Sequence, residues 1–270
     1  MIIARFGEIF LKSKPVKKRF LSQLGNNMRT ALKKNGINAE VKEKRLRLYI
    51  YPEKQGEKAL NTLKKIFGVV SISKAVETET NKEKIREKAK EKVKNWKKGT
   101  FAIRAQRITK DHDFTSKDLE EEIGRTVEKE TGLKVDLDNP DHILYIEVYG
   151  EKSHLFTEKI KGPGGIPLGV AGTLKSKLET EEDLLAAWMM MKRGCMIEPV
   201  KEKKNKKLDK TLEKWNLTEK KPTEPQGTVT GTKNIENAIE DHEKHVKPIY
   251  TPLIGLNEEK IDKIKKKVFD

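Results

Sequence analysis

The 270-residue chain has a single cysteine, Cys195, which excludes an internal disulfide and any zinc site built from several thiolates. Aromatic residues are scarce, at 6%. Apolar residues reach only 35%, but they fall in periodic segments, so a folded core is expected rather than disorder. No apolar run approaches the roughly 20 residues that span a bilayer. The start, Met1-Ile-Ile-Ala-Arg-Phe-Gly-Glu8, lacks the basic-then-apolar pattern of a secretory signal. These absences predict a cytoplasmic protein with no membrane association. Acidic residues are also in deficit, 42 against 58 Lys and Arg, for a formal net charge of +16. A polyanion is therefore the first partner to test, although a surface rich in Lys and Glu also suits a thermophilic protein that binds nothing.

Periodicity divides what is present. Ile2 to Phe6 reads as a strand. From Lys14 to Asn35, Val16, Phe20, Leu24, Met28 and Leu32 recur every four residues as one helical face. Alternation predicts a strand over Glu40 to Tyr51, with Val41, Leu46, Leu48 and Ile50 inward. A helix at Glu57 to Phe67 and a strand at Val69 to Val76 complete a β-α-β-α-β order that fits a ferredoxin-like sandwich over residues 1–78. Residues 79–165 then offer a Lys/Glu-rich helix from Asn81 to Lys98, a strand from Thr100 to Arg107, a helix from Ser116 to Thr131 with hydroxyl caps, and strands at Ile143 to Tyr149 and Lys152 to Ile160. After a glycine cluster, residues 166–270 hold a helix at Glu181 to Arg193, a lysine-rich stretch from Lys201 to Lys221, and a short α/β remainder with a basic terminal helix. The fold class is α/β, with an α+β first part.

Three constellations carry candidate chemistry. Lys12, Lys14, Lys17, Lys18 and Arg19 gather at a helix start, where free backbone amides already favour an anion and a bound phosphate would relieve the crowding of cations. Arg104, Arg107, Lys110 and His112 lie at a strand end. Alternation sends Arg104 to one face and Arg107 to the other, where guanidiniums can contact phosphates, stack on unpaired bases or pair with Asp111 and Asp113. Gly162, Gly164, Gly165, Gly169 and Gly172 permit close backbone approach, either to cradle a phosphate or simply to turn between domains; the run matches neither the dinucleotide pattern nor the P-loop. Cys195 after Gly194 reads as a core thiol, because a helix C-terminus disfavours thiolate. His242 and His245 lack further ligands in the sequence for a metal site. Trp96, Trp188, Trp215 and Met189-Met190-Met191 read as packing residues.

Gly7-Glu-Ile-Phe-Leu-Lys-Ser-Lys14, Phe101-Ala-Ile-Arg-Ala-Gln-Arg107, Val135-Asp-Leu-Asp-Asn-Pro140 and Gly162-Pro-Gly-Gly-Ile-Pro-Leu-Gly169 occur in an order that resembles the tRNA 4-thiouridine synthetase (tRNA sulfurtransferase) family. That resemblance implies a ferredoxin-like domain and a THUMP domain that together bind the acceptor stem and 3′ end of tRNA, followed by a Rossmann-like PP-loop domain. On this basis Lys12, Lys14, Lys17, Arg19, Arg104, Arg107 and Lys110 are the expected RNA contacts. Gly162, Gly164, Gly165 and Gly169 form the expected interdomain turn. The chain departs from the family where active members place a Ser-Gly-Gly-x-Asp-Ser loop for ATP phosphates; here Leu178-Glu-Thr-Glu-Glu-Asp-Leu184 stands instead. Carboxylates close to a polyphosphate oppose it by on the order of 1 kcal/mol per pair even in water. Nor does Cys195 occupy the family's catalytic cysteine position. The expectation is a tRNA-binding, non-catalytic adaptor with a degenerate PP-loop remnant, no catalytic residue, no metal and no cofactor, working with a separate tRNA-modifying enzyme; a homodimer stays open. The alternative is an active sulfurtransferase that makes 4-thiouridine with ATP at an atypical or partner-supplied site.

Overall fold

The first unit follows a β-α-β-β-α-β path in the computed structural model, which describes residues 1–44, 47–200 and 205–269. Strand β1 (Ile2–Phe6) passes through a 3-10 turn (Glu8–Leu11) into α1 (Lys14–Lys34), with Pro15 in the first turn, where its missing N–H costs no helical hydrogen bond. β2 (Ala39–Lys44), β3 (Arg47–Pro52), α2 (Gly56–Leu63) and β4 (Val69–Lys74) follow. The antiparallel order β4-β1-β3-β2 is that of a ferredoxin-like sandwich. The single strand expected over Glu40 to Tyr51 is a hairpin, because inward and outward residues alternate along both of its arms. Leu46, expected inward, lies outside the described residues, as does Lys201 of the lysine-rich stretch. α1 and α2 cover one sheet face, where Phe20, Leu24, Met28 and Leu32 pack on Ile2, Ala4, Leu48 and Ile50.

The second unit contains β5 (Val76–Glu79), α3 (Lys82–Val93), β6 (Thr100–Arg107), α4 (Ser116–Thr131), β7 (Lys134–Val135), β8 (His142–Tyr149) and β9 (Lys152–Phe156), with sheet order β5-β9-β8-β6-β7. Asn81 caps α3, and Thr115 with Asp118 forms a capping box on α4. α3 stops five residues before Lys98, and Trp96 leaves it to stack on His142 at 4.8 Å. Val76, expected at the end of a first-unit strand, begins β5 in the second sheet instead. The last strand ends at Phe156 rather than Ile160; β10 (Ile160–Lys161) returns to the edge of the first sheet beside β4.

The third unit alternates β11 (Thr173–Ser176), α5 (Glu181–Lys192), β12 (Met196–Pro199), α6 (Lys206–Trp215), β13 (Thr228–Val229), α7 (Ile235–Glu243), β14 (Ile249–Tyr250) and α8 (Glu258–Phe269). Its four strands are parallel, in the order β12-β11-β13-β14. Phe67 reaches into this core, 5.5 Å from the Trp188 ring and 5.4 Å from that of Trp215, tying the third unit to the first. Among the described residues no helix is long and apolar enough to cross a membrane.

The two antiparallel-edged sheets meet through the faces their helices leave open. Ile3, Tyr49, Ala75 and Phe156 bury one another there. Glu147 of β8 stands among them, accepting from Arg5 Nε at 2.8 Å and from Arg47 Nε at 3.1 Å. Arg5 also donates to Ser73 Oγ at 2.9 Å and lies 4.6 Å above the Phe156 ring. Burial alone would raise the Glu147 pKa; the two guanidiniums outweigh it and hold the pKa below the ordinary carboxylate value. Glu147→Ala strands two cations in a buried seam and is expected to cost about 3–5 kcal/mol of stability in urea unfolding. A depressed folded pKa means the carboxylate's contribution is complete above the ordinary carboxylate range and is lost as pH falls through the folded value. The stability gap between wild type and Glu147→Ala should therefore narrow in acid, and a gap constant with pH would contradict this assignment.

Candidate nucleic-acid interface

Strand register builds a row of cations along this seam. In the first sheet Lys161 pairs with Ser71, Ser71 with Arg5, and Lys44 with Arg47, so these residues cross one face of the sheet at one level. From the second unit, Arg104 is the cross-strand partner of Tyr145, whose ring carries the Lys159 ammonium 4.0 Å from its centroid. Burial, and then the nearby Arg5, lowers the Lys159 pKa. Lys44 approaches the Tyr149 ring at 6.0 Å. Glu147 neutralises Arg5 and Arg47, whereas Lys44, Arg104, Lys159 and Lys161 make no ion pair with a described residue. The seam thus offers cations beside the exposed edges of aromatic rings, a combination suited to phosphates and unpaired bases.

The residues singled out in the sequence divide among three places. Arg104 lies on the seam side of β6 and donates through Nη2 to the Leu137 carbonyl. Arg107 faces the helical side, donating to the His112 carbonyl at 3.3 Å, with Asp118 within electrostatic reach; exposed Lys110 follows it in the loop. Lys12, Lys14, Lys17 and Arg19 stand at the start of α1, with Lys12, Lys14 and Arg19 exposed and the Arg19 guanidinium 5.4 Å from the Phe20 ring. This helix start borders the third unit, where Arg193 comes within 3.7 Å of Glu8. Lys44, Lys159 and Lys161 were missed. They sit in a Lys/Glu-alternating strand and a short connection, and only strand register shows that they share a face. Cys195 is buried, and burial raises its pKa.

The glycine run stitches the first unit to the third. Gly68 N–H donates to Gly164 O, Gly164 N–H to Val69 O, and Ile166 N–H to Lys192 O, at 2.8, 2.8 and 3.1 Å. Gly165 has φ +74°, and a Cβ there would collide with the Lys192 carbonyl. Gly169 N–H reaches Gly194 O at 2.9 Å. Gly162 packs so closely on the Val69 carbonyl that it too excludes a side chain.

In the third unit the strand order changes direction between β11 and β13, and a crevice at such a point beyond the strand carboxyl ends is where open α/β sheets bind ligands. A cavity of about 470 Å³ lies there, lined by Lys177, Thr180, Asp183, Thr230, Gly231 and Thr232 among others. Its helix N-terminus is already occupied by a carboxylate of the chain. Asp183 accepts from the N–H groups of Glu179 (3.2 Å), Thr180 (3.1 Å) and Gly231 (2.9 Å) and from the Thr180 hydroxyl at 2.9 Å. Gly231 also presses on Glu182 and Asp183 so tightly that a Cβ would collide with their backbone. Thr180 Oγ1 in turn accepts from Asp183 N–H at 3.1 Å, so the capping box takes the Thr180 and Asp183 amides of this helix start within the chain.

Residues 1–73 match the ThiI ferredoxin-like domain and residues 79–158 the THUMP domain. The molecule is thus a THUMP protein of the ThiI type. The probable tRNA sulfurtransferase of Methanobrevibacter smithii is 41% identical over 205 residues, covering 73% of this chain and 52% of that protein. That of Thermococcus kodakarensis is 31% identical over 228 residues, 82% of this chain and 60% of the relative. Among solved structures, PH1313 from Pyrococcus horikoshii superposes with a TM-score of 0.86 at 31% identity, covering 99% of this chain and 98% of its own. A 4-thiouridine synthetase in complex with RNA and ATP shares the fold, with a TM-score of 0.76 at 22% identity over 99% of this chain and 85% of that one. The chain belongs to the tRNA sulfurtransferase (4-thiouridine synthetase) family, and it spans about half the length of the curated relatives it matches.

The glycine stitch allows a paired test. Gly164→Ala meets only the positive φ of +68°, its nearest neighbour being 4.0 Å away, and should cost about 1–2 kcal/mol. Gly165→Ala adds the collision with Lys192 and should lower the thermal unfolding midpoint further; equal midpoints would show that the contact yields freely.

Proposed function

We propose that this chain binds tRNA across its first two units, taking the acceptor stem and 3′ end, and acts in tRNA modification as a non-catalytic adaptor that presents tRNA to a separate modifying enzyme. The observation that supports it best is the convergence of Arg104 and Lys159 with Lys44 and Lys161 on one seam between two units held rigidly together by Glu147. The reading also takes Lys12, Lys14, Lys17 and Arg19 at the start of α1, and Arg107 and Lys110 at the end of β6, as RNA contacts. We read the third unit as a degenerate PP-loop domain. Its parallel sheet and switch-point crevice are those of a nucleotide domain, yet three acids, Glu181, Glu182 and Asp183, fill the first turn of α5, and Asp183 accepts from the amides of Thr180 and Gly231 beside the crevice.

Replacing Lys14, Arg104 and Lys159 together by alanine should weaken tRNA binding by on the order of 10- to 100-fold at low salt and make the log–log salt slope shallower by about 2–3. Affinity and slope equal to wild type would remove the reading.

The retained crevice and the names of the curated relatives favour one alternative, an active sulfurtransferase with an atypical ATP site. Under the adaptor reading, calorimetric titration with Mg-ATP gives no binding heat, and incubation with ATP, tRNA and a sulfur donor releases no pyrophosphate. Pyrophosphate together with new 4-thiouridine in the tRNA would establish the alternative.

A further inference from the structure

A second cationic surface lies on the third unit, far in sequence from the seam. Between α6 and α8 runs a groove of about 730 Å³, lined by Lys207, Lys210 and Lys214 from one helix and Lys265 and Lys266 from the other. Only Glu181 and Asp262 oppose these five lysines among the lining residues. Glu181 is engaged by both Lys207 at 3.1 Å and Lys265 at 2.5 Å, so one acid serves two cations. Lys210, Lys214 and Lys266 make no ion pair with a described residue.

Folding does not require these lysines. The packing of α6 is carried by Leu208, Leu212 and Trp215, all buried. Lys207, Lys210 and Lys214 recur at helical spacing on a solvent face and extend about 10 Å along the axis. The positive surface continues beyond the groove on both sides. Lys65 has its pKa lowered by burial and then by Lys214 and Lys64, which places the end of α2 beside the groove. Lys192 has its pKa lowered by burial and then by Lys267 of α8, with Glu8 and Arg193 close by, which connects the groove to the start of α1.

We propose that the α6–α8 groove is a binding site for an RNA phosphate backbone, so that the third unit adds its own grip on the tRNA held by the first two. This rests on the RNA-binding reading above. The chemistry favours a polyphosphate over a protein partner. Protein interfaces bury aromatic or aliphatic anchors at their centre and are depleted in lysine there, whereas the one large apolar side chain lining this groove, Phe269, is partly covered by the Lys207 ammonium at 5.2 Å. Flexible ammonium groups without carboxylate partners suit a repeating array of single charges.

The test is Lys210→Ala, Lys214→Ala and Lys266→Ala combined in the full chain, titrated with tRNA at several KCl concentrations. Because none of the three is ion-paired with a described residue, the unfolding midpoint should stay at the wild-type value. The affinity should fall by on the order of 10-fold near physiological salt, and the salt slope should become shallower by about 2–3. An unchanged slope overturns the proposal; the RNA-binding reading survives that outcome if the Lys14, Arg104 and Lys159 variant is still weakened. Loss of binding to polyglutamate with tRNA binding intact also overturns it, in favour of an acidic protein partner. A wild-type chain that binds no tRNA defeats both.

Discussion

Glu147 joins two units that, among the described residues, have no other charged contact of comparable burial, and the docking of their two cation-bearing faces depends on it. Its carboxylate comes from the second sheet, and the guanidiniums on either side come from neighbouring strands of the first. A buried carboxylate costs several kcal/mol unless cations meet it with good geometry. Only one docking register of the two sheets supplies both Arg5 and Arg47, so the ion triad selects that register over the slid alternatives that apolar contact alone would tolerate. The surroundings are dry. Burial, followed by the Glu147 charge, raises the Tyr49 pKa, while burial and Glu77 push that of Tyr51 up to about 12. A seam locked in this way presents cations from two modules to a ligand at fixed separation, without an ordering cost at the moment of binding.

The same principle, a polar group of the chain satisfied in advance by the chain itself, acts in the opposite sense in the third unit. A helix start beside a strand switch point is a prepared anion site. Here Asp183 is the anion. It is tethered to the helix that it caps, so it competes with any diffusing phosphate at a very high effective concentration. Gly231 packs against Glu182 and Asp183 from the neighbouring loop and donates its own N–H to the carboxylate. The packing of this unit's sheet and the hydrogen bonds of its loops draw on different residues.

Short-range signals were well legible in the sequence. The four-residue spacing in α1 marks its buried face, and Thr115 and Asp118 begin α4 with a reciprocal cap. Features that depend on distant partners were not. The division into β2 and β3 lay hidden in a charged run whose alternation suits one strand as well as two. β10 follows β9 by three residues yet belongs to the other sheet. Glu147 read as an ordinary strand residue, because its partner Arg5 lies 142 positions away. The candidate interface was half legible for the same reason. Arg104 stood out beside Arg107, but Lys44, Lys159 and Lys161 share its surface only through register, and Arg107 turns to the opposite face. In the third unit the run of acids from Glu179 to Asp183 was visible, whereas the hydrogen bond from Gly231 to Asp183, 48 positions away, required the fold.

Net charge alone could not separate an RNA-binding surface from a thermophilic one, but the distribution of acids can. On the outer surface of the second unit, Lys84 pairs with Glu87, Lys88 with Glu91, and Arg86 with Glu122, in the manner of a surface whose charges are balanced locally. Along the strand that faces the seam, the acceptors are of another kind. Arg104 donates to the Leu137 carbonyl, and Lys159 lies over the Tyr145 ring. Neutral acceptors and ring faces fix a cation's position but leave its charge uncompensated, the reverse of what an ion-paired surface achieves. A surface selected for heat tolerance alone would place carboxylates at these positions as it does on α3. Among the described residues these cations have no carboxylate partner, although the chain places acids on α3, so local ion pairing does not account for the positive charge on this face.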